Sequence, residues 1–231
     1  MSEENNLTLA QLWTRRERET SDREIERRPP SGFKSNPPPV SQPMRKALKV
    51  QKGPHLEVAL FVQVMPDGVA KDDWVMGQTR FEPPGYRFPE CRYDQYGAVN
   101  HFNGPFEWMG AYKIQSLYSP GVLPTALSCY GRGTTQADIN DGNTTLGFHE
   151  HCHQLDYLEY LDITSLPELP DLFLGMHVGD YQDEQRRFAI QFKTFNQGME
   201  EYSETRTDEV GYRQSHWKAT GRCFNWTPRE N

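Results

Sequence analysis

Three residues within five positions carry the strongest chemical signal in this chain. His149 and His153 lie four apart, with Glu150 directly after the first, in the run His149-Glu150-His151-Cys152-His153. On a helix, positions i and i+4 share a face, so two imidazoles at this spacing can reach one ion. Neutral imidazole suits Zn²⁺, which lowers the pKa of a coordinated water to about 7. Glu150 can then take a proton from that water and pass it to a leaving nitrogen. The chemistry implied is metal-assisted hydrolysis of an amide bond. His151 falls about 200° round the helix from His149 and points away from such an ion. Cys152 is about 60° off the ligand face, which suits a buried free thiol better than a ligand.

A hydrolytic zinc site needs a third protein ligand and one open position. Downstream carboxylates and histidines that could supply it are Asp180, Asp183, Glu184, Glu200, Glu201, Glu204, Asp208, His177 and His216. Stabilising the oxyanion of amide hydrolysis also requires an electrophile beside the metal. Tyr202, Tyr212 and His216 lie near the candidate third-ligand segment, and Tyr212 and His216 are the expected choices.

The pattern resembles the zinc motif of the zincin metallopeptidases. In the gluzincin branch the third ligand is a Glu on a later helix, four residues before an Asp that steadies a ligand histidine. Glu204-Thr205-Arg206-Thr207-Asp208 has that spacing, and Gly211 follows Asp208 by three. The resemblance therefore implies Glu204 as third ligand, with Asp208 accepting the other N–H of a ligand imidazole. Two other registers give different assignments. Met199 to Glu204 is similar to N-E-x-x-S-D, which would make Glu200 the ligand. The aspzincin branch would make it Asp208, but the G-T-x-D pattern of that branch is absent. There is no H-x-x-G-x-x-H extension, so the chain does not resemble a metzincin. Zincins commonly bind substrate as an added strand on a sheet edge, and residues 126–132, just upstream of the zinc helix, are the strand expected there.

The elements that must position these residues follow from periodicity. Asn143, Thr144 and Thr145 can each cap a helix running to about Asp162. Phe188, Phe192, Phe195, Met199 and Tyr202 recur at helical steps and predict an apolar face on a second helix over 181–203. Residues 55–64 and 111–118 read as strands, and the glycine-rich stretch 131–142 as a loop. Strands come before helices, which predicts an α+β domain: a small N-terminal sheet, a zinc helix and a helix carrying the third ligand.

Charge divides the chain. Among 231 residues, 32 Asp and Glu oppose 25 Lys and Arg. Residues 1–50 hold ten basic and seven acidic residues and six prolines, a net +3; the remaining 181 carry −10. This predicts a leader over 1–50, disordered or ordered by docking through Trp13, and a metallopeptidase domain over 51–231. The acidic domain argues against nucleic acid as a partner. No run is long enough to span a bilayer, and the N-terminus lacks the features of a Sec-type signal peptide. Cys91, Cys129, Cys152 and Cys223 are too few and too scattered for a disulfide scaffold.

The reading is thus a zinc-dependent peptide-bond hydrolase acting on protein or on the peptide stem of peptidoglycan. A leader ahead of one hydrolase domain would suit a bacterial effector or toxin made in the cytoplasm and exported by a specialised system. A secretion apparatus and an immunity protein are the partners such a role implies. The alternative is a non-catalytic zinc-binding interaction module, which would have no use for Glu150.

Overall fold

A computed structural model describes residues 44–52, 57–71 and 76–212. The Trp13 docking segment, the rest of the leader up to residue 43 and His216 lie outside the described residues. Sheet and helix are mixed, as an α+β reading requires.

The main sheet contains β1 (Met44–Lys52), β2 (Glu57–Val64), β3 (Gly68–Val69), β4 (Gly77–Glu82) and β9 (Tyr112–Tyr118). β1 pairs antiparallel with β2, so the sheet already begins before position 51, where the domain was expected to start. β9 is the central strand. It takes β2 and then β3 in parallel along one edge, through Val62↔Tyr112 and Gly68↔Leu117. Along its other edge it takes β4 antiparallel, from Gly77↔Tyr118 to Glu82↔Lys113. β4 pairs with no further strand among the described residues, so its outer edge is open.

Two short hairpin-like ladders are inserted between β4 and β9. β5 (Gly85–Arg87) pairs with β8 (Glu107–Met109), and β6 (Glu90–Tyr93) with β7 (Val99–Asn103). The proline- and aromatic-rich sequence of this stretch reads as irregular loop, yet its strands are only three to five residues long and fall below the length at which alternation shows.

Three helices follow. α1 (Gln136–Asn140) is a five-residue turn inside the expected loop. α2 (Leu146–Ile163) carries the His149–His153 run. Thr145 caps it, its Oγ1 accepting from Phe148 N at 3.2 Å. α3 (Val178–Ser203) starts at His177, whose Nδ1 accepts from Gly179 N, and runs on into a π-helical turn over Glu204–Asp208.

Strand alternation and helix periodicity meet in one core. Leu60, Val62, Tyr112 and Ile114 from the sheet pack against Tyr157 and Leu161 of α2 and Phe195 and Met199 of α3. A second cluster joins Phe188 and Phe192 of α3 to Tyr86, Phe88, Phe106 and Trp108 of the inserted hairpins. Phe188, Phe192, Phe195 and Met199 of the stripe on α3 are therefore core, as their spacing predicts, whereas Tyr202 lies outside these clusters. The sheet and α2 are clamped face to face, and this sets β4 directly over Glu150.

Candidate metal centre

His149, His153 and Asp208 converge. One ligand atom from each lies within 4.8 Å of the other two. Asp208 Oδ1 is 3.2 Å from His149 Nε2 and 3.2 Å from His153 Nε2. Each imidazole is fixed from behind through its other nitrogen. His149 Nδ1 is 3.0 Å from the carbonyl oxygen of Arg132, and His153 Nδ1 is 2.7 Å from Ser203 Oγ. A carbonyl can only accept, so Nδ1 of His149 carries a proton and Nε2 is the nitrogen left to bind a cation at the shared point. The three donors fit a cation of the zinc type: two imidazoles and a carboxylate, each ring held from behind by a polar partner.

Electrostatics at the group are consistent with this. Burial alone would raise the Asp208 carboxyl, but hydrogen bonds and charge from His149 and His153 outweigh it and hold Asp208 far below the usual carboxylate range. Burial disfavours the charged form of His149, yet the Asp208 hydrogen bond and the Glu150 and Asp208 charges push its pKa above the ordinary 6.5. Without a cation, the two groups satisfy one another as an ion pair.

One loop and one helix hold the arrangement. Gly131 sits at φ +63°, and a Cβ there would meet Thr207 O at 2.2 Å and His149 Cε1 at 2.9 Å. Only glycine lets the two segments approach this closely. The next residue, Arg132, donates its N–H to Thr207 O at 2.7 Å and pairs its guanidinium with buried Asp138 at 2.8 Å. From the other side, Asp156 of α2 accepts from Thr207 Oγ1 at 2.7 Å and from Arg206 Nε at 2.8 Å. The residues flanking Asp208 are thereby tied to the helix that carries both histidines.

Glu150 is 2% exposed and lines the same cleft, a cavity of about 880 Å³ also bordered by His153, Asp208, Tyr130, Tyr157, Glu200 and Glu204. Burial raises its pKa above the usual 4.5, against the pull of His149, His153 and a hydrogen bond from Thr79. The open strand β4 forms one wall, with Gly77 to Phe81 all lining the cavity.

Several sequence expectations move. Glu204 is a cleft wall residue and is not in the converging group; Asp208, expected behind a histidine, is. The reason is the π turn. An α-helical spacing makes residues four apart equivalent, whereas here Glu209 N bonds to Glu204 O five residues back. Ser203 and Asp208, five apart, then face His153 together, and Ser203 takes the supporting role expected of Asp208. Glu200 also stays on the cleft wall. Asp180, Asp183, Glu184 and His177 belong to the first turns of α3, roughly 30 Å along the helix from Ser203 at 1.5 Å per residue. Residues 126–132 are not a strand: Gly131 and Gly133 adopt positive φ, and the stretch makes only isolated bridges, so the open edge beside the cleft is β4.

Tyr202 packs on Tyr160 and under the Arg206 guanidinium, outside the cleft. Tyr212 is held by its backbone N–H to Thr134 Oγ1 and does not line the cleft. Two phenols do: Tyr157 gives its O–H to Thr79 O at 3.4 Å, whereas Tyr130 stands edge-on to His149, 5.0 Å between ring centroids. Nothing in the sequence marks Tyr130, since it lies 19 residues before His149 in a loop. Thr79 was equally hidden, 71 residues before Glu150. Cys152 is buried, its thiol pushed up to about 12 by burial, and is unsuited to metal binding as a thiolate. Cys91 and Cys152 are free, whereas Cys129 is disulfide-bonded.

The chain matches no known family, no curated protein and no solved structure. Its chemistry must be argued from the site itself.

Proposed function

We propose that this chain is a zinc-dependent hydrolase of peptide bonds, with His149, His153 and Asp208 as metal ligands and Glu150 as general base. The observation that carries this is the convergence of three donor atoms within 4.8 Å beside a cleft lined by His153, Asp208 and Glu150. Zinc at this point would act as a Lewis acid, lowering the pKa of water to about 7 and polarising a carbonyl. The chain's own residues do the rest. Glu150 accepts a proton from the attacking water and returns it to the leaving amine, so that the broken C–N bond yields a carboxylate and an ammonium. Tyr130, protonated at neutral pH, donates a hydrogen bond to the developing oxyanion, the task expected of Tyr212 and His216.

The open edge of β4 suits an extended peptide laid along it as an added strand, with backbone hydrogen bonds supplying affinity. Protein and the peptide stem of peptidoglycan both offer such a backbone. An exported effector or toxin, with its secretion apparatus and immunity protein, is the setting that suits such a hydrolase. No helix among the described residues is long and apolar enough to cross a membrane.

The test is metal analysis of the full chain and of Glu150→Gln, with hydrolysis followed on a casein-like protein and on purified peptidoglycan. Wild type and E150Q should each hold about one zinc, and E150Q should lose at least 10²-fold in rate. A chain that binds no zinc, or an E150Q variant that cleaves at the wild-type rate, overturns the assignment.

A further inference from the structure

A line of buried hydroxyl and amide groups runs through the sheet to Glu150. Gln154 Nε2 is 2.8 Å from Ser116 Oγ, Ser116 Oγ is 2.6 Å from Thr79 Oγ1, and Thr79 Oγ1 is 2.8 Å from Glu150 Oε2. Gln154 sits on α2, Ser116 on central strand β9 and Thr79 on edge strand β4, where Thr79 and Ser116 are register partners. All four residues are buried.

The direction of this line is fixed by its two ends. A carboxylate can only accept, so Thr79 must donate to Glu150. The Thr79 hydroxyl has one proton, so it must accept from Ser116, and Ser116 in turn accepts from the Gln154 amide. Thr79 Oγ1 also lies 3.0 Å from Glu150 O, but the shorter contact is to the charged oxygen, the stronger acceptor. Hydrogen bonds aligned in one sense polarise each other and strengthen toward the end that bears the charge. Gly77, two residues along β4, closes the other side. A Cβ at Gly77 would stand 2.6 Å from Glu150 Oε1. One carboxylate oxygen is bonded by β4 and the other lies against Gly77, where the missing side chain leaves it room.

We propose that Thr79 is a positioning residue, backed by Ser116 and Gln154, that orients the Glu150 carboxylate toward the metal group. The sheet edge thus has a second task besides receiving a peptide: it sets the geometry of the base. This rests on Glu150 being the base in the proposed reaction.

Three variants test it with the full zinc-loaded chain. Thr79→Val keeps the shape and removes the donor; it should lower kcat about 10²-fold on the protein or peptidoglycan probe, with KM and zinc content unchanged. Thr79→Ser restores the hydroxyl and should recover most of that loss. Gly77→Ala should lower kcat by displacing the same carboxylate without touching the donor line. A merely structural Thr79 predicts instead that T79V and T79S fall together with melting temperature, and that result overturns the proposal, as does a T79V variant with wild-type kcat. Crystal structures of wild type and T79V give a readout independent of activity. Glu150 should leave its wild-type position in T79V, and an unmoved carboxylate overturns the proposal even if hydrolysis is intact. A displaced carboxylate in a chain that cleaves neither probe would sustain the positioning and refute the hydrolase reading.

Discussion

Asp208 is the residue on which the metal assignment turns. Its Oδ1 is equidistant from two imidazole nitrogens at 3.2 Å, whereas Glu204, on the same turn, stays on the cleft wall. Asp208→Asn keeps the shape but removes the charge and leaves two imidazoles without an anionic partner. It should weaken zinc binding by at least 10-fold in competition titrations, at the lower end of what losing even a supporting group costs. Glu204→Gln should change zinc affinity by less than about threefold, as expected of an exposed group outside the ligand set. The reverse ranking would restore Glu204 as the ligand. Tyr130 makes a second residue-scale prediction. Tyr130→Phe keeps the edge-on packing against His149 and removes only the hydroxyl. Zinc content should be unchanged while kcat drops about 10²-fold, the size of effect found when one oxyanion donor is deleted. An unaltered kcat would remove Tyr130 from the mechanism.

At the scale of elements, the chain separates what holds the fold from what shapes the site. Phe188 is buried in the aromatic cluster between α3 and the inserted hairpins. Phe188→Ala should cost about 3–5 kcal/mol in denaturant unfolding and leave zinc affinity nearly as it was. Asp156 is different, because it ties Thr207 and Arg206 to α2. Asp156→Ala should cost about 2–4 kcal/mol, from a broken, largely buried pair, and also loosen zinc, since it frees the turn that carries Asp208. Equal effects of the two variants on zinc would sink this distinction. The contrast also explains how far the sequence could be read. The helix under His149 and His153, its Thr145 cap, the aromatic face of α3 and strands β2 and β9 all rest on local periodicity or capping and were visible in it. Asp208 joins the converging group where Glu204 was the expected ligand, because the π turn replaces a spacing of four by one of five, and no local pattern announces such a turn. Tyr130, Thr79 and the Ser203 contact depend on pairings 19, 71 and 50 residues apart. Those follow from topology, which one sequence does not display. The open edge was assigned to residues 126–132 for the same reason: β4 is close to Glu150 only after β9 has closed the sheet.

For the whole molecule, the metal group bridges α2 and the end of α3 and so couples ligand binding to folding. Any cation that binds the folded chain and not the unfolded one stabilises it by about 2.7 kcal/mol at a free concentration of 100 times Kd. For a chain of this size that is roughly 5–10 °C of melting temperature, lost on chelation. The size of the loss should depend on pH, and its sign follows from the two displaced groups. In the metal-free protein His149 is raised above 6.5. Its contribution to stability is therefore complete below 6.5 and disappears as pH climbs through the folded value. Asp208 is depressed, so its contribution is present at and above the unfolded carboxylate value and is lost only as pH falls into the acid range. As pH rises from 6 through the folded His149 value, the metal-free chain thus loses the His149 part and keeps the Asp208 part. Zinc binding moves the other way over the same interval, because the ion must displace a proton from His149 and meets less competition as pH rises. The gap in melting temperature between zinc-loaded and chelated protein should therefore widen from pH 6 to pH 7.5. Differential scanning fluorimetry at fixed free zinc would measure it. A gap that stays constant or narrows would mean that His149 does not give up its proton to the metal, and the ligand set would fall with it.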